Sequence, residues 1–217
     1  MKNTLLSLSF AATGFAVTAA PPTLLDLAGT RWPAAKLSHS VLMIVDAQRD
    51  YTEGGLVLPG GQIAVDTIAP LLTRARAADT PVIHVVQHSK AGSLLFAEGS
   101  PMAEIVPALN PRPGETIVVK RLPNSFADTA LEAILQKLGR KDLIVVGFMT
   151  HMCVSATVRS ALDHGYRCTV VADCCATRDL PDGTGGAVSA AEVGRVELAA
   201  LRDRFATVVA TPDDIRN

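Results

Sequence analysis

The chain has 217 residues, of which 48% are hydrophobic and 19% charged, which suits one α/β domain with a full core and argues against disorder. Twenty Lys and Arg against 21 Asp and Glu give a formal net charge of −1, and aromatic residues make up only 4%. Without a basic stripe or an aromatic stacking platform, nucleic-acid binding is not the expected role, and a small molecule is the expected partner.

The first residues, "MKNTLLSLSFAATGFAVTAAPP", place Lys2 before an apolar run at 5–17 and small residues at 18–20. That is the layout of a secretory signal peptide cut after Ala19 or Ala20, with an N-terminal arm over 1–20 as the competing reading. The run is too short for a membrane span. A single domain is expected over 21–217. "VLMIVDA" at 41–47 is a continuous apolar run, the signature of a strand buried on both faces. A helix follows at 63–79 with Pro70 as its expected bend, then a second strand, "PVIHVVQ", at 81–87. The irregular stretch 88–114 is expected to hold a short helix near 101–109. "ETIVVK" at 115–120 is a third strand, and 128–139 reads as an amphipathic helix with Asp128 as N-cap and Gly139 as its stop.

"DLIVVGF" at 142–148 is a fourth strand, leading into a helix at 153–165 that Cys153 opens. "RCTVVAD" at 167–173 is a fifth strand, 178–188 a loop, 190–205 a helix and "ATVVATP" at 206–212 a sixth strand. Strands alternating with helices predict a doubly wound, Rossmann-like, six-stranded parallel sheet of order 3-2-1-4-5-6 with helices on both faces. In that order the first and fourth strands are neighbours at the switch point, and ligands bind off their carboxyl ends.

Three chemically complementary groups close strands on that edge: Asp46, Lys120 and Cys153. Taken singly, a cysteine is a small buried hydrophobe, an aspartate caps a loop, and a lysine past a strand is a surface cation. Together they suit nucleophilic catalysis. Asp46 is a base for the thiol, and a helix N-terminus and Lys120 are expected to stabilise the Cys153 thiolate. The backbone N–H groups of Met149 and Cys153 are the candidate oxyanion donors. Gln48, Tyr51, Asn124, Phe126, Thr150 and His151 flank the three and are candidate pocket residues. Tyr51 and Phe126 could wall a planar substrate, with core packing as the alternative. His84 and His88 read as structural or pocket-lining.

The four cysteines, Cys153, Cys168, Cys174 and Cys175, form no C-x-x-C pair and no Cys/His cluster with zinc spacing. The adjacent Cys174 and Cys175 are expected to be two buried thiols. No G-x-G-x-x-G follows the first strand, so a dinucleotide role has no support. Neither a metal nor a cofactor is expected.

Four segments carry a family likeness: "LMIVDAQRDY" (42–51), "VVKRLPNSF" (118–126), "GFMTHMCVSATVRSA" (147–161) and "VVADCCATRDLP" (170–181). From residue 41 to its end the chain resembles the isochorismatase-like cysteine hydrolases. The resemblance implies a six-stranded parallel sheet and an Asp46–Lys120–Cys153 triad. It also implies a non-proline cis peptide at Phe148–Met149, homo-oligomers, and hydrolysis of C–N bonds in small amides, ureido acids or carbamoyl compounds. Within the family, a vinyl-ether-cleaving branch lacks the cysteine, so Cys153 favours acyl transfer. Vinyl-ether hydrolysis is kept as the alternative, as is a non-catalytic binding protein on the same scaffold. The metal-binding Asp-x-His pattern of nicotinamidases is absent after Asp46. An activated thiolate is exposed to oxidation outside the cell, so the expectation leans to the cytoplasm. Periplasm or secretion follows if 1–19 is a cleaved leader.

Overall fold

The computed structural model describes residues 20–217, so the segment read as a leader or arm lies outside the described residues. A short helix α1 (Leu24–Leu27), capped by Thr23, precedes β1 (Ser40–Val45), α2 (Gly61–Ala77), β2 (Val82–Gln87) and β3 (Thr116–Lys120). Next come α3 (Leu131–Leu138), β4 (Asp142–Phe148), a π-helical turn at Thr150–Val154, α4 (Ser155–Asp163) and β5 (Arg167–Ala176). A small hairpin of β6 (Leu180–Pro181) and β7 (Ala187–Val188) leads to α5 (Ala190–Arg204) and β8 (Ala206–Val209). The main sheet has the order β3-β2-β1-β4-β5-β8, and all its pairings are parallel. This is the predicted doubly wound order, with β8 as the sixth strand.

The apolar strands separate two cores. Leu42, Ile44, Ile144 and Val146 face α2 through Val65, Ile68, Leu71 and Leu72. Val41, Met43, Val45, Val85, Val118 and Val145 face the opposite way, onto Leu131 and Leu135 of α3, Val154, Val158 and Ala161 around α4, and Leu201 of α5. Each buried aliphatic side chain contributes about 1.5–3 kcal/mol on leaving water, and β1, buried throughout, contributes on both faces. Among the described residues, no helix is long and apolar enough to cross a membrane.

Several local expectations are corrected. The helix expected at 128–139 starts only at Leu131, after Ala130, because Asp128 has φ 54 and cannot act as its N-cap. The helix expected near 101–109 is two 3₁₀ turns, Pro101–Ala103 and Pro107–Leu109, each opened by a proline. β5 is longer than predicted and takes in Asp173, Cys174 and Cys175, and the segment read as a loop at 178–188 contains the β6–β7 hairpin. Pro70 lies within α2, which continues past it.

A buried charge network ties β2 to the rim of the sheet. Glu115 accepts two hydrogen bonds from Arg76, at 2.7 and 2.9 Å, and one from the Arg112 N–H at 2.9 Å. Its Oε2 lies 2.9 Å from His84 Nε2, so His84 is a structural residue. Burial opposes ionisation of Glu115, but these partners prevail and hold its carboxyl at about 2, against an ordinary 4.5. A carboxyl depressed in the folded state contributes its stability fully above pH 4.5 and loses it as pH falls toward 2. Glu115→Gln is therefore expected to cost on the order of 2–3 kcal/mol at neutral pH and to flatten stability between pH 4.5 and 2. Urea midpoints measured across that range check this; a variant as stable and as acid-sensitive as the parent overturns it.

Candidate active site

β1 ends at Val45, two residues before the end of the expected 41–47 strand, and Asp46 turns out of the strand with φ 51. Its N–H still bonds the Val85 carbonyl at 2.9 Å, so the turn is anchored to β2. Lys120 is the last residue of β3, on the face of Val118, which directs it into the second core and away from solvent. Cys153 belongs to that same core. It does not open α4, as its sequence position suggested. It lies within the π turn, where the N–H groups of Met152 and Val154 on either side both bond the Met149 carbonyl.

The three side chains meet although their strands are not all adjacent. Lys120 Nζ lies 2.7 Å from Asp46 Oδ2 and 3.3 Å from Cys153 Sγ. Asp46 is fully buried, Lys120 is 1% exposed and Cys153 5%. The Asp46–Lys120 contact is an ion pair without hydrogen-bond angles, and neither Asp46 oxygen has a hydrogen-bond partner among the described residues. A buried carboxylate with unused lone pairs is poised to accept a proton.

The electrostatics correct one expectation. The Cys153 thiol is not held as a thiolate. Burial, then the Asp46 charge, push it up to about 12, and Lys120 offsets only part of this. Burial likewise pushes the Asp46 carboxyl up, against the pull of Lys120. The starting set for proton transfer is taken as carboxylate, ammonium and thiol. Moving the thiol proton to Asp46 gives carboxylic acid, ammonium and thiolate. Both sets carry zero net charge, so the transfer moves no net charge into a low-dielectric interior.

β4 shapes the other wall. A cis peptide joins Phe148 to Met149, at the position the resemblance implied. Gly147 precedes it with φ 116, and a Cβ there would lie 2.0 Å from the Val45 carbonyl oxygen, so this close approach of β1 and β4 admits only glycine. Opposite it, β5 bulges: between the pairs Val145–Val170 and Gly147–Cys175, β4 advances two residues and β5 five. The DCC run forms this bulge. Cys174 is buried, whereas Cys175 is only partly so, and all four cysteines are free.

The pocket candidates divide. Thr150 is buried in the π turn, and His151 Nδ1 is hydrogen-bonded to Thr177 Oγ1, which ties the turn to the end of β5. Tyr51 is 2% exposed and packs on Phe96 and Phe148, with ring centroids 4.9 and 5.7 Å away. Burial, then the nearby Asp46 carboxylate, raise its phenol, so it borders the triad. Asn124 spends its Oδ1 on the Phe126 N–H at 3.0 Å. Phe126 stacks on His164 at 4.7 Å and on Tyr166 at 6.1 Å, and it shares the buried second core with Cys153. Gln48 is fully buried with its amide spent on backbone groups, which makes it a brace. His88 lines two surface clefts.

Sequence reasoning missed Gln87 and Arg178. Gln87 is paired with Lys120 in the β2–β3 register, and its place as last residue of an apolar strand was the available signal. Arg178 follows Thr177, and its charge reaches both Tyr51 and His151. Among the described residues, no three His, Cys, Asp or Glu side chains converge as a metal site would require.

This geometry can be set beside known proteins. A family model described as the isochorismatase domain matches residues 40–213. An isochorismatase of Pseudomonas putida, known from its crystal structure, superposes with a TM-score of 0.86. It is 45% identical, over 90% of this chain and 100% of that one. A secreted isochorismatase effector of Verticillium dahliae is 41% identical over 179 residues, 82% of this chain and 92% of that protein. The maleamate amidohydrolase of Pseudomonas putida is 30% identical over 153 residues, 63% of this chain and 72% of that protein.

Proposed function

The chain belongs to the isochorismatase family of hydrolases, and we propose that it hydrolyses a C–N bond of a small amide, ureido or carbamoyl compound through a thioester on Cys153. The observation that carries this reading is Lys120 Nζ placed between Asp46 Oδ2 and Cys153 Sγ, all three residues being buried. As Cys153 Sγ attacks the substrate carbonyl carbon, its proton passes to Asp46 and Lys120 stabilises the developing thiolate. The Met149 and Cys153 N–H groups are the donors for the oxyanion, each contributing about 3–4 kcal/mol in such a site. Asp46 then protonates the departing nitrogen as the C–N bond breaks. In the second half, Asp46 takes a proton from water, the resulting hydroxide attacks the thioester carbonyl, and the proton returns to sulfur as the acid leaves.

Relatives named as amidohydrolases support the substrate class. The vinyl-ether alternative, with Asp46 as proton donor, leaves Cys153 and Lys120 without a task. Burial shields the Cys153 sulfur from outside oxidants, which eases the objection to an oxidising compartment, and one relative is named as secreted. A leader at 1–19 is thus compatible with the chemistry.

Partitioning tests the intermediate. With added hydroxylamine, substrates that share one acyl group but differ in leaving amine are expected to give hydroxamate and acid in one constant ratio. A ratio that varies with the leaving group, or no hydroxamate at all, overturns the thioester.

A further inference from the structure

Lys120 has a third partner. Besides Asp46 and Cys153, its Nζ donates to Gln87 Oε1 at 2.8 Å. Of its three N–H donors, two are hydrogen-bonded, to Gln87 and Cys153, and Asp46 meets the ammonium as an ion pair. The orientation of the Gln87 amide follows from the chemistry. Charged lysine offers only donors, so the amide oxygen faces it, and the amide nitrogen lies 3.4 Å from the His88 carbonyl.

Gln87 is itself held in place. Gln48 Oε1 accepts from the Gln87 N–H at 2.8 Å, and Gln48 Nε2 donates to the Gln87 carbonyl at 2.9 Å and to the Ala103 carbonyl at 2.7 Å. Where β1 turns away at Asp46, the Gln48 side chain takes the place of a neighbouring strand beside the end of β2. One buried amide thus fixes the backbone of a second, and the second amide fixes the lysine.

We propose that Gln87, seated by Gln48, is the positioning residue of the triad lysine, holding its Nζ at the vertex between Asp46 and Cys153. This rests on the thiol-hydrolase reading of the site. A neutral amide oxygen satisfies one N–H without changing the charge of the site. A carboxylate in its place would make the site net negative and oppose thiolate formation. A side chain with no acceptor would leave a buried N–H unpaired and favour the neutral amine.

Gln87→Met keeps the length of the side chain and removes the acceptor; Gln87→Glu keeps an acceptor and adds charge. For Gln87→Met, kcat is expected to fall about 10–100-fold, and its alkaline limb to move to lower pH by about one unit. For Gln87→Glu the alkaline limb stays at or above that of the parent. Alkylation of Cys153 by iodoacetamide at pH 9, followed by peptide mapping, needs no substrate. It is expected to slow about tenfold in Gln87→Met relative to the parent. An unchanged alkaline limb and an unchanged alkylation rate in folded Gln87→Met overturn the proposal. If that variant does not fold, an alkaline limb in Gln87→Glu below that of the parent overturns it. Slower alkylation in Gln87→Met, with no amide hydrolysed by the parent, would leave the positioning role standing and remove the hydrolase reading.

Discussion

Replacing Cys153 by alanine is expected to cut turnover of any amide substrate by at least about 10³-fold, while the thermal midpoint moves by only a few degrees. The two effects separate because the sulfur has one chemical task and a small packing task. Cys153 sits in the second core among side chains that α3 and α4 already bury, so losing one heavy atom costs about 1 kcal/mol. The Asp46–Lys120 ion pair stays intact, and Lys120 keeps its hydrogen bond to Gln87. Steady-state kinetics and a thermal melt on the same preparation check the prediction. Substantial turnover in a folded variant would end the covalent mechanism and bring vinyl-ether chemistry, which needs only Asp46, to the front.

The largest structural effect is expected at Gly147. Gly147→Ala would drive a methyl group to 2.0 Å from the Val45 carbonyl oxygen and 2.8 Å from the Val45 nitrogen, at a φ of 116 that L side chains avoid. Both obstacles are backbone atoms of the central strand pair, which cannot swing aside as a side chain could. The expected cost exceeds about 4 kcal/mol, a large share of the stability of a domain this size. The variant should be recovered as insoluble or molten protein, read by soluble yield and near-ultraviolet circular dichroism. A cooperative melt within about 5 °C of the parent would show that β1 and β4 can part without loss. This glycine matters to chemistry as well as to folding. It lets Asp46, just after β1, and Met149, just after β4, leave the sheet side by side.

The sheet was legible because parallel strands covered on both faces read as unbroken apolar runs, and the alternation of strands and helices restricts their order. Asp46 and Lys120 stood out because each closes an apolar strand with a charge, and Cys153 because it falls at the corner between the fourth strand and the next helix. What was not legible depends on backbone geometry that side-chain periodicity does not carry. The apolar spacing around Cys153 suits a π turn as well as an α-helix, so the helix appeared to begin at Cys153 when it begins at Ser155. The positive φ of Asp46 leaves no trace in an aspartate. Phe126 and Gln48 lie as near the triad in sequence as Tyr51 does. Only the fold shows that Phe126 stacks on His164 and that Gln48 braces β2. The depressed thiol pKa expected from a helix end and a lysine gave way to burial, whose extent the sequence does not state.

The bulge of β5 has a mechanical consequence. β8 accompanies β5 through Val171, and the last bond from its side is the Asp173 N–H to the Ala210 carbonyl at 3.0 Å. Beyond that, Cys175 and Ala176 pair with β4 alone, and the chain runs on through Thr177 and Arg178 into the β6–β7 hairpin. Asp46, Lys120 and Cys153 hang from β1, β3 and the turn after β4, whereas Thr177 and Arg178 hang from a strand end released from its outer neighbour. Changes of length or sequence between Asp179 and Val188, past the last residues paired with β4, can therefore be absorbed without shifting the main sheet. The sheet edge that holds Asp46, Lys120 and Cys153 and the hairpin beside it are thus mechanically separate parts of the fold.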